Sequence, residues 1–175
     1  MRKNNPAFRV AMLGALVTLN VIAAEILKFK IIPNVLELSF GFVPLAVAGM
    51  LFGPVEAMLV GIVGDVFGAL LFPHGPFYFG FTLTAALTGL FYGLFLHAQT
   101  DGKKRIVRAL IAQLLVSLIC YAGLNTLWTW LMGYGRNEGY ILTRLLVNAV
   151  VYPIYTLVLL LIWRYRKNLE RAVRA

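Results

Sequence analysis

Apolar and polar positions are arranged along this chain in long blocks. Six apolar blocks are separated by shorter segments that contain Pro, Gly or charged residues. The block Val55–Phe72 would be about 27 Å long as a helix, which is close to the hydrocarbon thickness of a bilayer. The pattern therefore predicts six transmembrane helices, at Val10–Leu27, Ser39–Phe52, Val55–Phe72, Gly80–Leu96, Ala109–Met132 and Arg144–Trp163.

The segments between these blocks predict the connections. Phe29–Leu38 is too apolar for an ordinary solvated loop, so a lid or a re-entrant segment is expected there. Gly53-Pro54 predicts a tight turn, with Pro54 at the first position of the next helix. The remaining connections are expected to be a Pro- and aromatic-rich loop, two polar loops and a basic tail, at Phe72–Phe79, His97–Arg108, Gly133–Thr143 and Arg164–Ala175.

Composition agrees with a membrane location. Of the 175 residues, 61% are hydrophobic and 13% are charged, whereas a typical soluble domain carries about 25% charged residues. We therefore expect an all-α integral membrane protein that forms one domain over residues 1–175, without a cleavable signal peptide. The lone Cys120 lies in an apolar block, where it is expected to be a buried small hydrophobe.

The distribution of positive charge predicts the topology. The net charge is +9, and with six spans 12 of the 16 Lys and Arg residues lie on the side of the two termini. By the positive-inside rule both termini are cytoplasmic, and the loops after the first, third and fifth helices face outward. The positive charge is thus explained by topology, and no nucleic-acid partner is expected.

One carboxylate, Asp65, lies in the middle of the third predicted helix. An acid near the membrane midplane costs several kcal/mol unless it has a partner or faces a polar cavity, and such acids are usually functional. Two interpretations remain open. Asp65 could be satisfied by a threonine, a water or a backbone group and only join helices, or it could bind a ligand.

Further polar and aromatic residues fall near the outward ends of the helices. Together with the deep Asp65 they would form an outward-opening cavity suited to a flat heterocycle with an anionic tail. A carboxylate can accept two hydrogen bonds from an N–H/NH2 edge, and cations at the rim can neutralise the tail. His74 has no second ligand at metal spacing, so no metal site is expected. The candidate substrate-binding residues are Asp65, Lys28, Phe77, Tyr78, Asn125, Trp128, Arg144 and Asn148.

Small residues recur four apart in several helices, which permits close helix approach. Gly49-x-x-x-Gly53, Gly64-x-x-x-Gly68 and Gly89-x-x-x-Gly93 predict internal packing. Ala11-x-x-x-Ala15 in the first helix leaves two alternatives, internal packing or a partner interface.

Several of these motifs occur together in one known family. They are Ala11-x-x-x-Ala15, the turn Phe52-Gly53-Pro54, Gly64-Asp65-x-x-Gly68 and the run LFPHGPFYFGFTLTA. Together they resemble an S component, the substrate-binding membrane subunit, of an energy-coupling factor (ECF) vitamin transporter, and most of all the folate-specific type. The similarity is most specific from Phe40 to Leu96.

The resemblance implies a six-helix protein of the bacterial cell membrane that binds one vitamin from outside with high affinity, with folate as the expected ligand. It implies partners, namely a transmembrane coupling subunit, on which Ala11 and Ala15 would dock, and two ATP-binding subunits. The S component would topple in the membrane to carry the vitamin across. ATP would be hydrolysed by the partners, so the chain itself would be no enzyme and would need no cofactor.

Two other hypotheses are kept. The first is an S component for another vitamin, such as thiamine or riboflavin. The second belongs to a different class, a small autonomous transporter in which Asp65 couples transport to protons. A pump-type acid usually has further titratable partners along a path, and the sequence suggests none in the middle of the other helices.

Overall fold

The described part of the chain, in a computed structural model, comprises residues 6–32, 36–73, 75–97, 102–134 and 139–174. Eight α-helices, two π-helical stretches and one hairpin account for most of it. The helices are α1 (Pro6–Val21), α2 (Phe42–Leu51), α3 (Pro54–Leu71), α4 (Phe79–Leu96), α5 (Gly102–Leu115), α6 (Asn125–Leu131), α7 (Gly139–Arg164) and α8 (Arg166–Arg174). The π-helical stretches are Ile22–Ile26 and Val116–Leu124, and the strands are β1 (Lys28–Ile32) and β2 (Leu36–Ser39).

The predicted all-α membrane fold is confirmed. Within the described residues, five helical stretches are long and apolar enough to cross a membrane, at Pro6–Ile26, Pro54–Leu71, Phe79–Leu96, Ile106–Leu131 and Gly139–Arg164. The sixth, α2, has only 10 residues, or about 15 Å. It is shorter than the predicted Ser39–Phe52 because β2 and a turn take up the start of that block.

The short helix α2 is the most enclosed element. Eight of its ten residues are buried, and it contacts α1, α3, α4 and α7. Its Phe42 ring lies 4.4 Å from the ring of Tyr155 on α7. A helix wrapped by other helices does not need to span the lipid itself, and α2 serves as the central packing element.

In the segment predicted as a lid or re-entrant linker, the described residues form two antiparallel strands, β1 and β2, which together are called the hairpin. Lys28 pairs with Ser39, and Phe29 pairs with Leu38. Pairing two short strands satisfies backbone N–H and C=O groups that an apolar loop near a membrane would leave without partners. The Ser39 N–H also donates a hydrogen bond to the Tyr155 hydroxyl, 3.0 Å away, which ties the hairpin to α7.

Three predicted boundaries were wrong because polar segments continue as helix. The loop expected at His97–Arg108 gives way to α5 at Gly102, and the loop expected at Gly133–Thr143 gives way to α7 at Gly139. Arg164 still belongs to α7, and Arg166–Arg174 of the tail form α8. Lys and Arg are good helix formers, so a run of positive charge marks the edge of the membrane without ending a helix. The helix predicted at Ala109–Met132 contains the π-helical stretch, which no hydropathy pattern reveals.

Close glycine contacts hold α3 and α4 together, as the small-residue motifs predicted. A Cβ at Gly89 of α4 would collide with the backbone of Ala57 on α3, and one at Gly61 would collide with Ala85. The turn into α3 is also confirmed, because Gly53 has φ 117°, a left-handed conformation that favours glycine, and Pro54 begins the helix.

An ion pair fastens the N-terminal ends of α1 and α3. The Arg9 guanidinium contacts the Glu56 carboxylate in the first turn of α3. An acid in the first turn of a helix also interacts favourably with the helix dipole. The pair adds a link between two helices that also meet where Gly64 of α3 faces the Asn20 side chain of α1.

We predict that Gly89→Ala destabilises the bundle, because the new methyl group would meet rigid backbone of α3. Overpacking of this kind costs about 1–3 kcal/mol. Gly14→Ala is the matched control, since a Cβ there meets nothing within 4 Å. Thermal unfolding in detergent should show a lowered midpoint for Gly89→Ala alone. Equal midpoints for the two variants would contradict the close α3–α4 contact.

Candidate functional site

A cavity of about 370 Å³ opens among the helices in one half of the bundle. Its walls come from the end of α1 and the π-helical stretch that follows, from both strands, from the start of α2, from the second half of α3 and from the first half of α4. The second π-helical stretch, the start of α6 and the first two thirds of α7 complete them. These walls include the ends that lead into the loops after the first, third and fifth predicted helices. By the predicted topology, the cavity therefore lies in the outward half of the protein.

The lining combines charged, amide, hydroxyl and aromatic side chains. Two cations and two carboxylates contribute, which is unusual for the interior of a membrane protein. The volume lies within the range of small-molecule sites, about 300–1,000 Å³. The polar and aromatic lining residues are Asn20, Glu25, Lys28, Ser39, Phe42, Asp65, Phe81, Thr84, Thr88, Tyr121, Asn125, Arg144, Asn148 and Tyr155.

Asp65 lies in the cavity wall and also has a protein partner. The Thr82 hydroxyl on α4 donates a hydrogen bond to its Oδ2 atom at 2.6 Å. The neighbouring Gly64 faces Asn20 of α1, and a Cβ at this glycine would collide with the Asn20 side chain. A threonine partner and a cavity position are therefore both present. A carboxylate has about four lone-pair sites, so the bond from Thr82 leaves it capacity for a ligand.

The amide of Asn125 is a second acceptor on the cavity wall. Its Oδ1 atom is buried and has no hydrogen-bond partner among the described residues. An unsatisfied buried acceptor costs about 1–3 kcal/mol. A ligand N–H donor placed in the cavity would remove that cost, so Asn125 is a strong candidate for ligand contact.

The predicted cations have different surroundings. Arg144 donates from Nε and Nη2 to the Tyr140 hydroxyl, at 3.0 and 2.7 Å, and its guanidinium lies over the Tyr140 ring. Lys28 lies 3.8 Å from Glu25. Both cations line the cavity, as does Asn148, whose Nδ2 donates to the Arg144 carbonyl. The sequence predicted that the helix begins at Arg144. In the structure α7 begins at Gly139, so Arg144 lies in the second turn of the helix.

The predicted aromatic residues lie outside the cavity lining. Trp128 packs over Gly80, and its Nε1–H donates to the Thr84 hydroxyl at 3.0 Å. The Tyr78 ring lies 5.8 Å from the Trp128 ring, and Phe77 is 56% exposed. Because Gly80 has no side chain, the Trp128 indole can pack directly against α4. Trp128 and Tyr78 therefore support the part of the cavity wall that carries Thr84. His74, in the same predicted loop as Tyr78, lies outside the described residues.

Nine of these polar and aromatic lining residues were not among the candidates from the sequence, namely Asn20, Glu25, Ser39, Phe42, Phe81, Thr84, Thr88, Tyr121 and Tyr155. Asn20 and Glu25 lie in the first apolar block, where polar residues inside a membrane helix were a usable signal. Tyr121 and Tyr155 lie in apolar blocks and carry no such signal. Asn20 is 7% exposed and donates from Nδ2 to the Gly41 carbonyl at 2.7 Å, so it joins α1 to the start of α2.

The predicted small-residue face lies on the outside of α1. Ala11 and Ala15 are exposed, and a methyl group added at Gly14 between them would meet no atom within 4 Å. Of the two alternatives, internal packing does not occur within the described part of the chain. This face is therefore open to lipid or to another protein.

Comparison with known proteins gives consistent matches. The family model described as "ECF transporter, substrate-specific component" matches residues 8–163. The "Folate transporter FolT" of Clostridium novyi (strain NT) is 30% identical over 170 residues, which cover 97% of this chain and 94% of the relative. The protein of the same name from Leuconostoc mesenteroides is 34% identical over 128 residues, which cover 69% of this chain and 67% of the relative.

A solved structure has the same fold. It is described as "Crystal structure of FolT bound with folic acid" and superposes with a TM-score of 0.77 at 32% identity, covering 86% of this chain and 89% of the other. The relatives are named as transporters and not as enzymes. With its apolar helices, the protein is a multi-pass protein of the bacterial membrane that serves transport. The chain belongs to the family of substrate-specific components of ECF transporters.

Proposed function

We propose that this protein binds folate in the cavity from the outer side and delivers it through the ATP-driven coupling module of an ECF transporter. The observation that carries the proposal is that one cavity contains two acceptors, Asp65 and Asn125, and two cations, Lys28 and Arg144. The relatives named as folate transporters support the same ligand.

The lining suits the two chemically different ends of folate. The pterin ring presents an edge of N–H and NH2 donors, which the Asp65 carboxylate and the unpaired Asn125 Oδ1 can accept. The glutamate tail is anionic, and Arg144 presents a planar fork suited to a carboxylate. Phe81 and Tyr121, which line the cavity, offer ring faces against which the flat pterin can stack.

Delivery requires partners, and the outer face of α1 is the surface proposed for them. Ala11 and Ala15 lie exposed on that face, and small residues allow the backbone of another helix to come close within the membrane. We propose that a transmembrane coupling subunit docks here and that two ATP-binding subunits supply the energy. The chain itself then needs no cofactor, since ATP is used by the partners.

A fluorescence titration of the purified protein tests the ligand. Trp128 supports the Thr84 wall of the cavity, so a bound pterin should quench its emission. Folate should bind, and thiamine and riboflavin should not compete at similar concentrations. Preferential binding of thiamine or riboflavin would assign the protein to another vitamin. Folate uptake that needs only a proton gradient and no coupling subunits would favour the autonomous transporter.

We predict that Asp65→Asn weakens folate binding at least about tenfold. The asparagine turns one acceptor oxygen into a donor facing the donors of the pterin, and an unpaired buried group costs about 1–3 kcal/mol. The fold should remain intact because the remaining carbonyl oxygen can still accept from Thr82. Glu56→Gln is the matched control, as it makes the same charge change on the same helix beside Arg9. Unchanged affinity in a well-folded Asp65→Asn protein would make Asp65 a structural residue.

We predict that Arg144→Ala weakens folate more than it weakens a pterin without the glutamate tail. Loss of a charge-assisted bond costs about 1.5–3 kcal/mol, or roughly tenfold to a hundredfold in affinity for folate. Arg164→Ala serves as the control, because Arg164 ends the same helix and does not line the cavity. Fluorescence titrations give the dissociation constants of both ligands, and the loss of affinity for folate is compared with the loss for the pterin. Equal losses for the two ligands would rule out a tail-specific role.

We predict that Ala11→Trp combined with Ala15→Trp blocks transport and leaves folate binding to the isolated chain unchanged. The bulky rings would prevent close helix approach at the coupling subunit. Leu157→Trp is the control, since Leu157 is 60% exposed on α7. Uptake into cells that express the whole complex measures transport. Normal uptake by the double variant would move the partner interface to another face.

A further inference from the structure

The two cations of the cavity are not equally available to an anionic ligand. The Lys28 ammonium lies 3.8 Å from the Glu25 carboxylate, and the two side chains are only 26% and 18% exposed. Arg144 instead contacts the neutral hydroxyl of Tyr140. Among the described residues, no carboxylate opposes the positive charge of Arg144. The positive charge of Lys28, in contrast, is already balanced in part by the Glu25 carboxylate.

The position of Glu25 is well defined by the backbone. It lies in the π-helical turn Ile22–Ile26, three residues before Lys28. On its other side it faces Gly68 of α3, where an added Cβ would lie 3.5 Å from Glu25 Oε1. The carboxylate is thus held between Lys28 and α3 at the cavity wall.

We propose that Glu25 is a specificity-determining residue that limits how many carboxylates the tail end of the cavity accepts. The proposal rests on the proposed folate function. One tail carboxylate binds at Arg144, and each further carboxylate must share the Lys28 ammonium with Glu25.

The physical reason is that Glu25 has two opposing effects on a second anion. It holds the flexible Lys28 side chain in the wall, and the ammonium has three donors that can be shared. It also brings a negative charge close to any carboxylate that binds Lys28, and like charges in a partly buried site repel. The two effects nearly cancel, so longer anionic tails gain little affinity over short ones.

A series of ligands with one ring system and increasing charge tests this inference. Pteroate, folate and pteroyldiglutamate carry one, two and three carboxylates, and their dissociation constants are measured by fluorescence titration. In the unsubstituted protein the affinity should change little along the series. In Glu25→Gln, each added carboxylate should strengthen binding about three- to tenfold, the range expected for one partly screened charge contact. High salt should reduce this gain.

Lys28→Gln should give the opposite trend, with affinity falling as carboxylates are added, because the tail then loses the attraction of the Lys28 ammonium and keeps the repulsion from Glu25. Glu170→Gln is the matched control, since Glu170 pairs with Arg166 on α8, away from the cavity. The dissociation constants of Glu170→Gln for the three ligands should match those of the unsubstituted protein.

The outcomes separate the inference from the proposed function. If the unsubstituted protein binds none of the three pteroyl ligands, the folate function and this inference both fail. If it binds them and Glu25→Gln leaves the ratios unchanged, or weakens all three equally, Glu25 has a structural role and the inference alone is overturned. Should Glu25→Gln fail to fold, the Lys28→Gln series decides, and a flat series there would also overturn the inference.

Discussion

The close approach of α3 to α4 is the contact on which the rest of the structure depends. Glycines at 61 and 89 allow the two backbones to touch, and this brings Asp65 within 2.6 Å of the Thr82 hydroxyl. In a membrane interior an acid without such a partner would be costly. The same packing turns the face with Asp65 toward the cavity, so the contact that makes the acid tolerable also presents it to a ligand.

Two helical segments depart from regular α geometry beside the cavity. The stretches Ile22–Ile26 and Val116–Leu124 are π-helical, and each supplies a lining residue, Glu25 from the first and Tyr121 from the second. π-Helical turns inside longer helices are rare and frequently mark functional sites. The short helix α2 adds Phe42 and Leu45 to the same wall.

Each of the charged groups in the cavity wall contacts either an opposite charge or a neutral hydroxyl group. Lys28 is compensated by Glu25, Asp65 by a hydroxyl, and Arg144 by the phenol of Tyr140. Each group is satisfied well enough to remain in a membrane protein, yet each retains hydrogen-bonding capacity. Such partial satisfaction suits a site that must hold a polar vitamin and later release it, since a fully unpaired site would be unstable when empty.

The sequence alone determined the membrane class, the approximate spans and the family, and it predicted the topology, because hydropathy, positive charge and small-residue motifs are local properties of the chain. It also identified Asp65, since one acid in an apolar block is conspicuous. Only the tertiary structure decided which side chains share the cavity. Trp128 lies behind the wall because Gly80 leaves space for it, and Glu25 and Tyr121, which lie in the two π-helical stretches, line the cavity. These outcomes depend on contacts between distant segments, which no local pattern encodes.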